Sequence, residues 1–214
     1  MNWKLDFISE KDFKTHVTQT IKAYGSKLES YDLNKFNSNL IDPIKLIFDK
    51  TVYKLNWEEI VENEIFRQRD KSSNNDIGYF HQNIFQYIEN CSVPPTGFDV
   101  VLDKPTKILI NNDFQVERIF VELKNKHNTM NSSSSAKTYM RMQSKLIDDN
   151  DCACFLVEAI AKRSQDIEWK VTIDGEQQKR SRIRRVSLDK FYAYVTGQEN
   201  SFYQMCMVLP IYNR

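Results

Sequence analysis

The sequence predicts an α/β domain in which helices flank a mixed central sheet and a helical region comes first. Three observations support this prediction. Apolar residues recur at helical spacing through most of the chain before residue 92. Short β-branched runs, separated by turn residues, follow between residues 98 and 124. Beyond residue 130, strand-like runs alternate with helical patterns, as in α/β folds.

The N-terminal region, residues 9–70, is predicted to be helical. Ser9 is a typical N-cap residue, and the acidic residues just after it favour the first turn of a helix. The polar run KSSNND (71–76) predicts a loop, and the apolar spacing in 77–88 predicts a second amphipathic helix. We therefore divide the chain into a helical region, 1–75, and a core, 76–214.

The core begins with predicted strands. A turn with two prolines at 93–97 precedes two short β-branched runs, 98–102 and 106–110. A hairpin-like turn at 111–113 leads into a longer strand at 116–124. The rest of the chain predicts, in order, a helix at 132–145, a buried strand at 152–160, a strand at 167–173, a turn at 174–178 and helices at 187–196 and 200–208.

Composition excludes several classes of protein. The chain has 214 residues but only five glycines, and no two of them lie close together. Dinucleotide fingerprints and P-loops need clustered glycines, so both are excluded. The net charge of +1 gives no whole-molecule field for a nucleic acid or a membrane, although acidic and basic residues can still separate locally.

Cysteine usage and hydropathy indicate a soluble, cytoplasmic protein with no membrane contact. The four cysteines lack CxxC spacing, and Cys152 and Cys154 lie in an apolar run, so we expect buried, reduced thiols. The chain opens with charged residues and not with the apolar core of a signal peptide. Its longest apolar stretch, 152–161, is interrupted by Glu158 and is too short to cross a bilayer.

The residues that suggest chemistry are Asp99, Glu122 and Lys124. Residues two apart on a strand point to the same face, so Glu122 and Lys124 project together while Leu123 enters the core. Asp99 joins them if the strand at 98–102 pairs with the strand at 116–124. Two carboxylates then suit a hard cation such as Mg²⁺, and a lysine beside them can orient water or neutralise charge on a phosphate. This pattern favours phosphodiester hydrolysis.

An acid-x-Lys tripeptide is common by chance, and two others occur here. Asp12-Phe13-Lys14 lies in a helical pattern, where alternate residues diverge. Glu168-Trp169-Lys170 lies on a predicted strand but lacks an acid at the head of a preceding hairpin strand, so we interpret it as solvated surface. Glu122 and Lys124 instead interrupt an apolar strand, where two charges need a reason.

Polar and basic side chains near this motif suggest DNA contact. Amide and basic groups read base edges, and a basic run without acids follows the phosphate backbone. The run 179–185 has five bases in seven residues, and a strand there would align alternate arginines on one face. The candidate DNA contacts are Asn125, Lys126, His127, Asn128, Lys137, Arg141, Arg180, Arg182, Arg184 and Arg185; Glu64 and Gln82 are candidate accessory groups at the metal site.

The motif resembles the PD-(D/E)xK nuclease superfamily, with Gly97-Phe98-Asp99 standing where the pattern has Pro-Asp. Four segments are more specifically similar to the type II restriction endonucleases that recognise GGNCC. The likeness runs from about residue 50 to the end of the chain and is most specific at ELKNKHNT. The four segments are IGYFHQNIFQYI, GFDVVL, VELKNKHNTMNSSS and RIRRVSLDKFYAYVTG.

This resemblance implies a restriction-endonuclease-like core and Mg²⁺-dependent cleavage of double-stranded DNA at a short palindrome, leaving 5′-phosphates. It also implies a homodimer and a cognate methyltransferase in the same organism. Asp99, Glu122 and the backbone carbonyl of Leu123 would hold the metal, and Lys124 would be the catalytic lysine. Two alternatives stay open: a repair or recombination nuclease that recognises DNA structure, and a DNA-binding module whose acids are structural.

Overall fold

The computed structural model describes residues 3–29 and 33–212. They form two compact units. One unit contains the chain up to Val17 together with everything from Phe80 onward, and the other contains Thr18–Tyr79. The first described residues of the chain therefore group with the sheet.

Within the described ranges, four α-helices precede the sheet: α1 (Glu10–Glu29), α2 (Leu33–Asn37), α3 (Pro43–Tyr53) and α4 (Trp57–Asn83). Local capping explains where two of them begin. The Asp42 side chain accepts a 2.9 Å hydrogen bond from the Ile44 nitrogen at the start of α3. Asn56 and Glu59 form a reciprocal capping box at the start of α4, with bonds of 3.0 and 2.8 Å.

The prediction of a loop at 71–76 is wrong, because this segment continues α4. The side-chain nitrogen of Asn74 donates to the Asp70 backbone carbonyl at 2.9 Å, which satisfies its polar group within the helix. Ser73 and Asp76 are buried. Packing therefore overrides the turn preference of serine, asparagine and aspartate. The second predicted helix is the end of α4 followed by a 3₁₀ turn at Ile84–Tyr87.

A six-stranded mixed sheet confirms the predicted fold class. The described strands are β1 (Cys91–Ser92), β2 (Val100–Ile110), β3 (Phe114–Lys126), β4 (Cys152–Ile160), β5 (Asp166–Glu168), β6 (Val171–Ile173), β7 (Glu176–Gln178) and β8 (Ile183–Ser187). Those of the main sheet lie in the order β1-β2-β3-β4-β8-β5. The pairs β3–β4 and β4–β8 are parallel, and the remaining pairs in this sheet are antiparallel.

Two predicted strands merge and one divides. Residues 100–102 of the first run and the whole of 106–110 form the single strand β2, whose register shifts between Asp103 and Ile108, around Pro105. Such a bulge accommodates a proline that cannot donate to the ladder. The predicted strand 167–173 separates into β5 and β6 at Trp169, and β6 pairs with β7 as a small hairpin.

The main sheet carries a hydrophobic cluster on each face. Val121, Leu123 and Val157 belong to the larger cluster, together with residues of α6 (Leu188–Thr196) and α7 (Ser201–Val208). The second cluster joins Tyr139 and Met142 of α5 (Ser132–Asp148) to β4 and β8. As predicted, Cys152 and Cys154 are buried free thiols. No helix within the described ranges is long and apolar enough to span a membrane.

Candidate active site

Asp99 immediately precedes β2 and is attached to β3 by two hydrogen bonds. Its backbone nitrogen donates to the Val121 carbonyl at 2.9 Å. Its carboxylate oxygen Oδ2 accepts from the Leu123 nitrogen at 2.8 Å. The pairing of β2 with β3 thus brings the carboxylate of Asp99 beside the Glu122-Leu123-Lys124 tripeptide.

Glu122 and Lys124 project from the same face of β3, and Leu123 packs into the larger cluster on the opposite face. Lys124 Nζ donates to Glu122 Oε1 at 2.7 Å. The Glu122 side chain is 12% exposed and that of Lys124 is 30% exposed. Both groups therefore remain accessible at the end of a sheet whose interior is apolar.

Arg141 of α5 completes the cluster. Its guanidinium donates to Glu122 Oε2 and, at 3.3 Å, to the Gly97 carbonyl. It also lies 4.7 Å from the centre of the Phe98 ring. Sequence reasoning gave Arg141 a role only in DNA contact. The helical spacing of Lys137, Arg141 and Lys145 was the signal that these cations form one stripe along α5.

The surroundings of Asp99 shift the pKa of its carboxyl. Burial raises the pKa of the Asp99 carboxyl above its ordinary value, and the nearby Glu122 carboxylate raises it further. The hydrogen bond from Leu123 and the charges of Lys124 and Arg141 oppose this increase. The two acids repel each other, which is the arrangement that a divalent cation relieves.

The donor set for a metal is small. No cluster of three or more His, Cys, Asp or Glu side chains suited to a metal occurs in the described part of the chain. Asp99 and Glu122 supply two carboxylates, and the Leu123 carbonyl lies between Glu122 and Lys124 in the sequence. No described residue hydrogen-bonds Asp99 Oδ1, so this oxygen is open to a ligand.

The two candidate accessory residues differ in their surroundings. Gln82 Nε2 approaches the Asp99 backbone carbonyl at 3.4 Å, so Gln82 lies beside the cluster. Glu64 belongs to the helical unit, where Arg67 Nε donates to Oε2 at 2.7 Å and Gln68 Nε2 donates to Oε1 at 2.9 Å. The hydrogen bond from Arg67 lowers the pKa of the Glu64 carboxyl.

Beyond β3, His127 and Asn128 meet Arg185 around a carboxylate that sequence reasoning missed, that of Glu158. His127 Nδ1 lies 3.0 Å from Glu158 Oε2, and Arg185 NH2 donates to Glu158 Oε1. Arg185 NH2 also donates to Asn128 Oδ1 at 3.1 Å. The interruption of the apolar run 152–161 by an acid was the available signal.

The prediction that Arg180, Arg182 and Arg184 line one face of a strand is wrong. β8 begins only at Ile183, so Arg180 and Arg182 precede it. Arg184 is buried and pairs with Asp166, which accepts from its Nε. Arg182 donates to the Asn150 carbonyl. The arginines of the basic run therefore differ in exposure. Arg180 is exposed, Arg182 is half-buried and Arg184 is buried, while the apolar Ile183 enters the core.

Comparison with known proteins identifies the family of this chain. A model of the Eco47II restriction endonuclease family matches residues 5–213. The type II restriction enzyme Sau96I of Staphylococcus aureus is 29% identical, over 98% of this chain and 80% of that protein. The type II restriction enzyme Eco47II of Escherichia coli is 25% identical, over 96% and 85% respectively. The chain therefore belongs to the Eco47II restriction endonuclease family.

Proposed function

We propose that this restriction endonuclease hydrolyses both strands of DNA at a short palindrome of the GGNCC type, with Asp99, Glu122 and Lys124 as its active centre. One observation carries this proposal: Asp99, 23 positions before Glu122 in the chain, is hydrogen-bonded to the backbone between Glu122 and Lys124. Charged groups beside an apolar sheet are costly unless they have partners or a role.

The residues present fit Mg²⁺. This ion prefers oxygen ligands, keeps several waters and takes few protein groups. Asp99 Oδ1, the Glu122 carboxylate and the Leu123 carbonyl would hold it. The raised pKa of Asp99 supports this fit, because a cation between the two acids removes the repulsion that contributes to the shift. When bound, the metal would polarise the phosphodiester and favour the ionised form of a water ligand.

The protein side chains would perform the remaining steps. Lys124 Nζ would hold the attacking water in line with the phosphorus, and its charge would stabilise the phosphorane. Water adds as the bond to the 3′-oxygen breaks, leaving a 5′-phosphate and a 3′-hydroxyl. Arg141, now on Glu122, would move onto a phosphate once the carboxylate binds metal, because its guanidinium is 42% exposed.

DNA contact would use the accessible candidates around this face. Lys126, Asn128, Lys137 and Arg180 are exposed, and Asn125, His127 and Arg185 are partly buried. Arg182 keeps a role only if the DNA displaces its bond to the Asn150 carbonyl. Arg184 would keep its pairing with Asp166.

Two copies of the chain would act together. A palindrome presents the same half-site on each strand, so a two-fold dimer lets each subunit cut one strand. Protection of the host DNA would require a methyltransferase of the same specificity.

A digest of phage DNA with Mg²⁺, mapped at nucleotide resolution, tests the proposal. Discrete fragments ending at one palindrome support it, with both strands cut in a single binding event. Sedimentation on cognate duplex should give two chains per site. Random nicking, or cutting only at flaps and ends, would instead assign the chain to structure-directed cleavage and overturn the proposal.

A further inference from the structure

Glu158 is a buried acid that the proposed chemistry does not use. It lies on β4 with 1% of its surface exposed, although it interrupts an otherwise apolar strand. Its register partner on the adjacent parallel strand is Lys124. Partners on neighbouring strands point to the same face, so the Glu158 side chain emerges beside the proposed active centre. Burying a carboxylate is costly unless partners hold it, so its partners indicate its purpose.

Those partners are Arg185 and His127. Arg185 directs Nε and NH2 at Oε1, with the Nε bond at 3.0 Å. His127 Nδ1 lies 3.0 and 3.1 Å from the two carboxylate oxygens and 2.8 Å from Arg185 NH2. No described residue hydrogen-bonds His127 Nε2, so this nitrogen is the unused edge of the imidazole. Burial favours a raised pKa for Glu158, but the hydrogen bonds and charges of Arg185 and His127 together outweigh burial and lower this pKa below its ordinary value.

The adjacent residue provides an internal comparison. Arg184 also pairs with a buried acid, Asp166, but on the opposite face of β8. Its side chain is 4% exposed, and its other bonds run to the Ser181 and Asp166 carbonyls. Tyr194 donates to the remaining oxygen of Asp166 at 2.5 Å. This pair is internally satisfied and contributes to the fold alone.

The Glu158 cluster is different, because it keeps an open edge. The side chains of Arg185 and His127 are 20% and 18% exposed while Glu158 is 2% exposed. Arg185 directs Nε and NH2 at Glu158, Asn128 and His127, and no described residue hydrogen-bonds its NH1, which leaves both N–H groups of NH1. A single terminal nitrogen beside an imidazole suits a phosphate oxygen better than the two-point edge of a guanine.

We propose that Glu158 is a positioning residue that holds Arg185 and His127 as a pre-formed contact for a DNA phosphate next to the active centre. The inference rests on the proposed function, since DNA is its ligand. A side chain locked before binding loses less rotamer freedom when the phosphate arrives, so the acid increases affinity without touching DNA.

The test measures anisotropy of two fluorescent 20-base-pair duplexes, one with GGNCC and one scrambled, in EDTA so that neither is cut. We expect Glu158→Gln to weaken binding of both duplexes about tenfold, as for loss of one charged hydrogen bond. Arg185→Gln should weaken both similarly and reduce the salt slope by about one. The double variant should bind no more weakly than Arg185→Gln. Asp166→Asn, the matched control, should lower Tm and leave affinity unchanged.

Cleavage kinetics separate positioning from chemistry. In Mg²⁺, Glu158→Gln should raise the duplex concentration for half-maximal rate and leave the maximal rate within about twofold. Wild-type affinity in Glu158→Gln, restored affinity in the double variant, or a loss confined to the cognate duplex would overturn the inference. A wild type that binds duplex but never cuts it would overturn the proposed function instead, and the EDTA measurements would still decide the role of Glu158.

Discussion

Asp99 Oδ2 accepts a 2.8 Å hydrogen bond from the backbone nitrogen of Leu123, the residue between Glu122 and Lys124. The first acid of the site is thus oriented by backbone and not by another side chain. An amide oxygen at the same position can accept the same bond. An Asp99→Asn substitution can therefore remove the charge of residue 99 while the side chain keeps its position.

Asp99→Asn should fold normally and lose metal-dependent cleavage. The amide keeps the bond to Leu123 but gives a weaker ligand for Mg²⁺, so we expect activity to fall at least about 100-fold. Thermal-shift titration with MgCl₂ should show stabilisation of the wild type and little of the variant. Equal stabilisation of both proteins would place the metal elsewhere.

The same variant predicts a pH dependence of stability without metal. The pKa of Asp99 is raised in the folded protein, so as pH rises past its ordinary value of 3.8 the unfolded chain ionises first. Ionisation then costs folding free energy, and the wild type loses stability that the asparagine variant keeps. The Tm of Asp99→Asn minus that of wild type, measured in EDTA, should grow from acid pH until the folded carboxyl has ionised. A constant difference would contradict the raised pKa.

Lys124→Ala should slow cleavage strongly and retain DNA binding. Loss of one preorganised cation at the reacting phosphate should slow single-turnover cleavage about 10²- to 10³-fold. Lys170→Ala is the control, since Lys170 ends another acid-x-Lys tripeptide, is exposed and lies outside the strands. Gel shifts in Ca²⁺ should give similar affinities for both variants. Slow cleavage by Lys170→Ala, with normal cleavage by Lys124→Ala, would reverse the assignment.

Arg141→Gln should make the site bind Mg²⁺ more tightly. Arg141 occupies Glu122 Oε2, and its charge lowers the pKa of Asp99, so its removal increases the repulsion that a cation relieves. The exposure of the guanidinium limits the effect to about two- to fivefold in affinity. Calorimetric titration with MgCl₂ provides the measurement. Weaker binding would mean that Arg141 organises the ligands and does not compete for them.

His81→Phe should remove part of the acid sensitivity of the fold. Burial, and secondarily the charge of His16, lowers the pKa of His81 from 6.5 to about 4. Its Nδ1 is buried without a hydrogen-bond partner among the described residues. The unfolded chain takes up the proton first as pH falls through this window, which costs on the order of 3 kcal/mol of stability. Urea unfolding should show that the free energy of unfolding falls less between pH 7.5 and pH 5 in the variant than in the wild type.

The sequence predicted best what depends on local periodicity. The alternation in 116–124 assigned Leu123 to the core and its neighbours to the opposite face, and the apolar run at 152–160 matches β4. The register between β2 and β3 then brings Asp99 into place, as the predicted hairpin required. Features that depend on long-range packing were missed, including the continuity of α4 through 71–76 and the division of 167–173 at Trp169.

The same limit explains the errors at the site. The alternating pattern in 179–185 does not distinguish exposed from buried arginines. In the structure, Arg184 is buried in a pair with Asp166, whereas Arg185 pairs with Glu158 and remains partly exposed. Arg141 reaches Glu122 only because α5 packs against this face of the sheet. Such pairings join residues 18 to 27 positions apart, and no spacing rule within one element predicts them.

The placement of Leu123 between Glu122 and Lys124 links activity to the folding history of each molecule. A one-residue slip of β3 would turn both charged groups into the core and Leu123 into solvent. Asp99 reaches its neighbours only after β2 has paired with β3. If the proposed active centre is correct, a newly made chain would therefore lack it until its sheet has closed in register. The rate of DNA cleavage during refolding would then measure how many molecules have reached the correct register. Chains with a shifted register would not cut DNA.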